Sequence, residues 1–156
     1  MSSFLCSYKM LQKNKQNLIA LFRNKCKQHN LNMTPQRVAI YEELFKSKDH
    51  PDSDGIFERV KNGFPNISLD TIYRSLSKFA EIGIIRLVEG YGEAKRYDPD
   101  TNKHHHLRCR KCNEIVDFHD ESFDNLRIPK SVQKNFSVTN VKVILEGTCN
   151  ECIKKR

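Results

Sequence analysis

Two clusters of side chains in this 156-residue chain have the types and spacing for chemistry. The first is a pair of Cys-x-x-Cys knuckles, Cys109-Arg110-Lys111-Cys112 and Cys149-Asn150-Glu151-Cys152, with residues 113–148 between them. Both sulfurs of such a knuckle can hold one ion, and two knuckles complete the tetrahedral S4 set that zinc favours. That set has no open position, so its work is structural. A redox Cys-x-x-Cys would explain one pair but not two; two unrelated pairs in the core is the other alternative. The second cluster is the run His104-His105-His106, which leads into Cys109. In an extended segment His104 and His106 share one face and His105 takes the other. Asp98 lies just upstream, Asp117 on the strand-like run after the first knuckle, and His50 in a loop of the N-terminal half. Nitrogen and oxygen donors without sulfur suit Fe(II), Mn(II) or Zn(II) rather than soft metals. The alternative is that these histidines are ordinary surface residues.

Composition narrows what such centres could serve. The chain carries 27 Lys+Arg against 19 Asp+Glu, a formal charge of +8, with 38% apolar residues. Seven of the basic residues (Lys9, Lys13, Lys15, Arg23, Lys25, Lys27, Arg37) precede the first acid, Glu42. A basic arm of this kind suits phosphate, since Lys and Arg release condensed counterions on contact; a solvated N-terminus is the alternative. No apolar run is long enough for a membrane span, and no secretory signal is visible. Cysteine-rich but without an export signal, the chain is expected to be cytoplasmic and metal-binding. His-Glu-x-x-His, the deaminase pattern and a phosphate-cradling glycine loop are all missing, so no enzyme is expected.

The elements that must position these residues read as follows. Residues 1–15 form a basic arm. Residues 16–30 read as a helix with Leu18, Leu21, Phe22 and Cys26 on one face. Thr34-Pro35 opens a second helix, with a stripe of Val38, Tyr41, Leu44 and Phe45. A short helix holding Ile56, Phe57 and Val60 ends at Gly63-Phe64-Pro65. Ser68 caps a fourth, whose inward stripe is Leu69, Ile72, Leu76, Phe79 and Ala80, with Gly83 closing it. Its opposite face presents Asp70, Tyr73, Arg74 and Ser77. Two extended runs around Gly90-Tyr91-Gly92 then make a hairpin. Helices followed by a hairpin predict a winged helix-turn-helix over 16–97, whose last helix enters the DNA major groove; an ordinary small helical domain is the alternative. Residues 98–156 are strand-like (LRCRKCNEIVDF and FSVTNVKVILEGTC), with a helix over ESFDNLRIPKSVQKN shortened or kinked by Pro129. This half is small for its own core and needs a metal staple.

The ordered motifs TPQR, HP, ISLDTIYRSL, KRYD, HHHLRCRKC, EIVDF and CNEC, from about residue 16 to 153, resemble the ferric uptake regulator superfamily of bacterial metalloregulators. The resemblance implies an α+β homodimer: an N-terminal winged helix and a C-terminal α/β dimerisation domain with a four-cysteine zinc site. It implies zinc ligands at Cys109, Cys112, Cys149 and Cys152. It implies a regulatory Fe2+ or Mn2+ at His50, Asp98, His104, His106 and Asp117. Tyr73 and Arg74 match its base-contacting pair; Ser77 on the same face and Arg37 of TPQR complete the expected DNA-binding set. Asp rather than Glu at 98 and 117 looks like the peroxide-sensing branch, where bound Fe(II) reacts with peroxide and a ligand histidine, matching His50 or His104, is oxidised.

Some positions depart from the family. Asn32 and Met33 stand where a basic residue is common, and Arg74 is closer to iron-sensing members. Val141 replaces a histidine of an additional metal site, so two metals per subunit are expected and His105 has no assigned role. The expected function is a metal-dependent repressor binding a palindromic operator on double-stranded DNA, responsive to peroxide. The alternatives are an iron- or manganese-homeostasis repressor without peroxide sensing, and a zinc-stabilised interaction module.

Overall fold

The computed structural model describes residues 17–88 and 94–155. The expected arm at 1–15, Cys6 and the Gly90-Tyr91-Gly92 turn lie outside them. The chain forms two compact units that divide after Thr101. The boundary read from sequence, between 97 and 98, runs through a strand that pairs back into the first unit.

The first unit holds helix α1 (17–28), α2 (Pro35–Lys46), α3 (Ser53–Val60) and α4 (Leu69–Glu81), then strands β1 (Arg86–Val88) and β2 (Arg96–Asp98). Each start has a polar cap where one is described: the side chains of Thr34, Asp52 and Ser68 accept from the backbone N–H of Arg37, Gly55 and Thr71. These bonds satisfy donors that a helix start leaves open. α1 stops at a left-handed Asn30 (φ 52°), with Leu31 N–H donating back to the Cys26 carbonyl. α4 stops the same way: Gly83 has φ 70°, its N–H reaches Ala80, and the Ile84 N–H reaches Phe79.

The core gathers where three helices meet. The Phe22 ring stacks on Tyr41 at 4.4 Å and meets Phe79 edge-on at 5.2 Å. Ile40, Leu44, Ile56, Ile72, Leu76 and Tyr97 fill the space around them. Three residues expected on inward stripes are exposed instead: Leu21, Phe45 and Leu69. In α1 the buried line is the i, i+4 series Leu18, Phe22, Cys26, and Leu21 lies a quarter-turn off it. Leu69 is the first residue of α4, ahead of the turn that packs. β1 and β2 pair antiparallel, with Arg86 opposite Asp98 and Val88 opposite Arg96. Helices followed by a two-stranded ribbon make this unit a winged helix.

The second unit is a three-stranded sheet in the order β4-β3-β5. β3 (His105–Cys109) pairs antiparallel with β4 (Ile115–Phe118) and parallel with β5 (Ile144–Gly147). The single helix expected between β4 and β5 is two short ones, α5 (Glu121–Asp124) and α6 (Lys130–Gln133). Pro129 is the residue before α6; with no N–H and a fixed φ it starts a helix but cannot continue one. α7 (Asn150–Lys154) follows β5. Little of this unit is buried. Leu107, Val116 and Leu145 stand in register across the three strands, each about two-fifths exposed.

Gly83 offers a clean test of the α4 terminus. A Cβ there would meet nothing within 4 Å, so only its left-handed backbone resists substitution. Gly83→Ala should lose about 1–2 kcal/mol in urea unfolding. An unchanged midpoint would show that the turn needs no left-handed residue.

Candidate metal centres and nucleic-acid interface

The four cysteines converge because of the parallel β3–β5 ladder. Its last rung sets Cys109 beside Gly147, so Cys149, two residues on, arrives at Cys109. The first knuckle turns tightly. Asn113 is left-handed (φ 59°), its N–H donates to the Cys109 carbonyl, and the Cys109 N–H donates to Glu114. Cys149 is the N-cap of α7 and Cys152 lies in its first turn, where i, i+3 spacing aims two side chains the same way. One sulfur from each cysteine lies within 4.8 Å of the others, with Cys112 Sγ 3.7 Å from Cys149 Sγ.

The thiols are electrostatically unequal. Backbone N–H groups of Cys149 and then Cys112 donate toward the Cys109 sulfur and lower its pKa to about 6. The neighbouring Cys112 and Cys149 sulfurs push Cys152 up to about 12. Four sulfurs this close repel as thiolates unless a cation sits among them. The donor set suits a structural zinc, which would hold Cys109, Cys112, Cys149 and Cys152 as thiolates.

A second centre forms on the same sheet from pleat and register. His106 lies opposite Asp117 on β4, and their Nε2 and Oδ1 atoms are 3.3 Å apart. His104, on the same face, puts Nε2 3.0 Å from His106 Nε2 and 3.6 Å from Asp117 Oδ1. Two imidazole nitrogens and a carboxylate oxygen converge without sulfur, a set that suits a regulatory Fe(II) or Mn(II). His105 points the other way. Its Nε2 is 3.2 Å from Asp124 Oδ1, and its ring lies against Phe118 and Phe123.

In the first unit His50 and Asp98 form a buried pair, Nε2 to Oδ1 3.9 Å. His50 is left-handed (φ 47°), a conformation that costs a non-glycine residue about 1–2 kcal/mol.

The expected DNA-contacting residues fall in this same unit. Tyr73 is exposed on α4, with Lys95 Nζ 5.7 Å from its ring centre. Arg74 is exposed and paired with Asp70 at 2.9 Å. Such a surface pair contributes roughly 0–1 kcal/mol, so Arg74 can exchange it for another anion. Ser77 is half-buried. Arg37 is half-buried too, and donates to the Asn32 carbonyl at 2.6 Å, which anchors the start of α2.

Sequence reasoning passed over His119 and Asp124. The His119 ring lies 5.9 Å from that of His104. Its spacing of two from Asp117 was the available signal, since alternate residues of an extended run share a face. Asp124 reaches His105 from α5, which no local pattern announces.

A winged helix joined to a sheet bearing one all-sulfur and one nitrogen/oxygen centre defines a metal-responsive DNA-binding regulator. The profile of the ferric uptake regulator family matches residues 28–146, and the chain belongs to that family. It is 38% identical over 120 residues to the peroxide-responsive repressor PerR of Staphylococcus epidermidis, covering 77% of this chain and 80% of that one. It is 37% identical over 130 residues to the peroxide operon regulator of Bacillus subtilis, covering 83% and 89%. It shares the fold of the ferric uptake regulator of Helicobacter pylori, with a TM-score of 0.73 at 22% identity over 89% of this chain and 93% of that one.

Removing one sulfur tests the staple. Cys109→Ser should bind no zinc at the four-cysteine centre, by elemental analysis, and should open the second unit to proteolysis. A Cys109→Ser protein that keeps its zinc or its protease resistance would refute the structural role.

Proposed function

We propose that the protein is a homodimeric, metal-dependent transcriptional repressor that releases DNA when peroxide oxidises a histidine of its regulatory centre. The observation that carries this is the sulfur-free set of His104, His106 and Asp117 built beside a separate four-cysteine centre. In this reading His50 and Asp98 would complete the donor set for one ion. Its binding would favour the dimer arrangement in which two α4 helices match two half-sites of an operator.

Each residue has a defined part. Asp117, opposite His106, orients the imidazoles and neutralises part of the cation's charge. His104 and His50 offer ring nitrogens to the ion and ring carbons to oxidation. Asp98 sets a carboxylate against His50. When bound, Fe(II) supplies the one-electron chemistry with peroxide; Mn(II) in the same donors does not. On α4, Tyr73 and Arg74 read bases while Ser77, and Arg37 on α2, hold the backbone. The exposed Leu107, Val116 and Leu145 row supports the homodimer, because a second copy would cover it. Among the described residues no helix is long and apolar enough to cross a membrane. The family's regulators act in solution on DNA, and a cytoplasmic, non-enzymatic role fits this chain. A homeostasis repressor with the same centres but no peroxide response is the second reading, favoured by Arg74.

The deciding experiment is peptide mapping by mass spectrometry of anaerobic Fe(II)-loaded protein before and after dilute hydrogen peroxide. Added oxygen on His50 or His104, missing from the Mn(II) form, is the expected result. Unmodified histidines in a protein that still binds the metal would move the assignment to homeostasis.

DNA binding has its own check. Arg74→Ala should weaken metal-dependent operator binding at least about tenfold, the scale of one base contact. Affinity should also fall steeply between low and physiological salt. A salt-independent affinity would argue against a phosphate-dominated interface.

A further inference from the structure

The loop that carries His50 is held by β2, and by one side chain above all. Arg96 Nε donates to the His50 carbonyl and its Nη2 donates to the Asp49 carbonyl at 2.6 Å. The next residue of the strand, Tyr97, donates its backbone N–H to the Pro51 carbonyl at 3.1 Å. Three successive carbonyls, 49, 50 and 51, are thus taken up by two successive residues of β2. The residue after those is Asp98, whose carboxylate faces the His50 ring. The loop is gripped from its other side as well. Arg59 binds the Asp49 carboxylate through two nitrogens, at 2.6 and 3.2 Å, and Ser47 Oγ at 2.5 Å.

We infer that Arg96 is a positioning residue for His50, acting through the loop's backbone carbonyls and not through contact with a metal. Its importance for regulation rests on the reading of His50 as a ligand. A left-handed residue turns its flanking peptides so that neighbouring carbonyls can face one cation. Unmatched, the carbonyls at 49 and 50 would lose their alignment, and His50 would relax to an ordinary backbone conformation that swings its ring away from Asp98. The planar guanidinium spans both oxygens with separate nitrogens in a fixed fork. A lysine ammonium at the same place is a single point with a flexible stem. Arg96 and Asp98 are two apart on one strand and so share its face. One strand therefore orients His50 through its main chain and supplies the carboxylate beside it. β2 is also the return strand of the wing, with Arg96 opposite Val88, so the loop and the wing are secured by the same residues.

The test uses the full chain, zinc-loaded but free of regulatory metal, with 15N-labelled histidine. His50 ring signals are assigned by their loss in His50→Asn. In Arg96→Met these signals should shift and narrow toward those of a mobile imidazole. His29, just past the end of α1 in the same unit, the zinc content and the melting temperature should stay as in the wild type. Titrated with Mn(II), Arg96→Met should bind about 10–100-fold more weakly, the range found when a group orienting a ligand is removed. Arg96→Lys, which keeps one donor, should recover part of that loss. A merely structural role would lower the melting temperature without these two effects. An unchanged His50 spectrum in a stably folded Arg96→Met protein would overturn the inference. Should Arg96→Met not fold, Arg96→Lys carries the same comparison, and wild-type His50 signals there would overturn it too. If Mn(II) finds no sulfur-free site even in the wild type, the regulatory-metal reading fails by itself. The metal-free His50 spectra still decide whether Arg96 positions that residue.

Discussion

The parallel pairing of β5 with β3 is the constraint on which the C-terminal unit depends. It is a non-local contact, made across more than thirty intervening residues, and it delivers the second cysteine pair to the first. Few apolar side chains in this unit are buried, so hydrophobic burial offers little to offset the entropy of closing so long a loop. A metal held by four thiolates supplies what the core does not, because metal binding is then part of the folding free energy. His106 lies on β3, with His104 just ahead of that strand and Asp117 opposite on β4. The nitrogen/oxygen donors are therefore built on the same sheet as the four-cysteine centre.

The two centres divide their work by donor chemistry. Four sulfurs leave no vacant position and hold a d10 ion that has no redox chemistry, which suits a permanent staple. Imidazole and carboxylate donors bind exchangeable divalent ions, whose occupancy follows supply. Separation on the sheet follows from strand geometry. His106 faces Asp117, while Cys109, an odd number of residues along β3, belongs to the opposite face and the strand's end. A chain can therefore place a fixed and a responsive metal within a few residues of one another without mixing their ligands.

The N-terminal unit follows the opposite design. Its core is a packed apolar cluster around the Phe22, Tyr41 and Phe79 rings, and the starts of α2, α3 and α4 are each capped by a local side chain. This self-sufficient core can hold one unfavourable backbone conformation at His50, which Arg96, Arg59 and the β2 main chain keep in place. Under the proposed reading of His50 as a ligand, strain held by surrounding bonds gives pre-organisation. Helix α4 needs none of this. Tyr73 and Arg74 stand on its outer face simply because Ile72, Leu76 and Phe79 take the inner one.

Much of this was written locally. Thr34-Pro35, Ser68 and Gly83 mark helix ends through backbone chemistry that depends only on near neighbours, and the structure uses each of them that way. The two Cys-x-x-Cys pairs declare a zinc site because donor type and knuckle spacing are intrinsic to the motif. Alternation along His104-His105-His106 likewise separates one histidine from the other two, since the pleat has a period of two. Tertiary structure decided the rest. Leu21, Phe45 and Leu69 match an apolar period yet lie exposed, because packing partners select which part of a stripe is covered. Pro129 was legible as a break, but whether it kinked one helix or separated two depended on the course of the chain on either side. The partnership of His105 with Asp124, and the grip of Arg96 on residues 49 and 50, join groups far apart in sequence. Local patterns record backbone preference; which distant groups meet is set by strand pairing and helix packing.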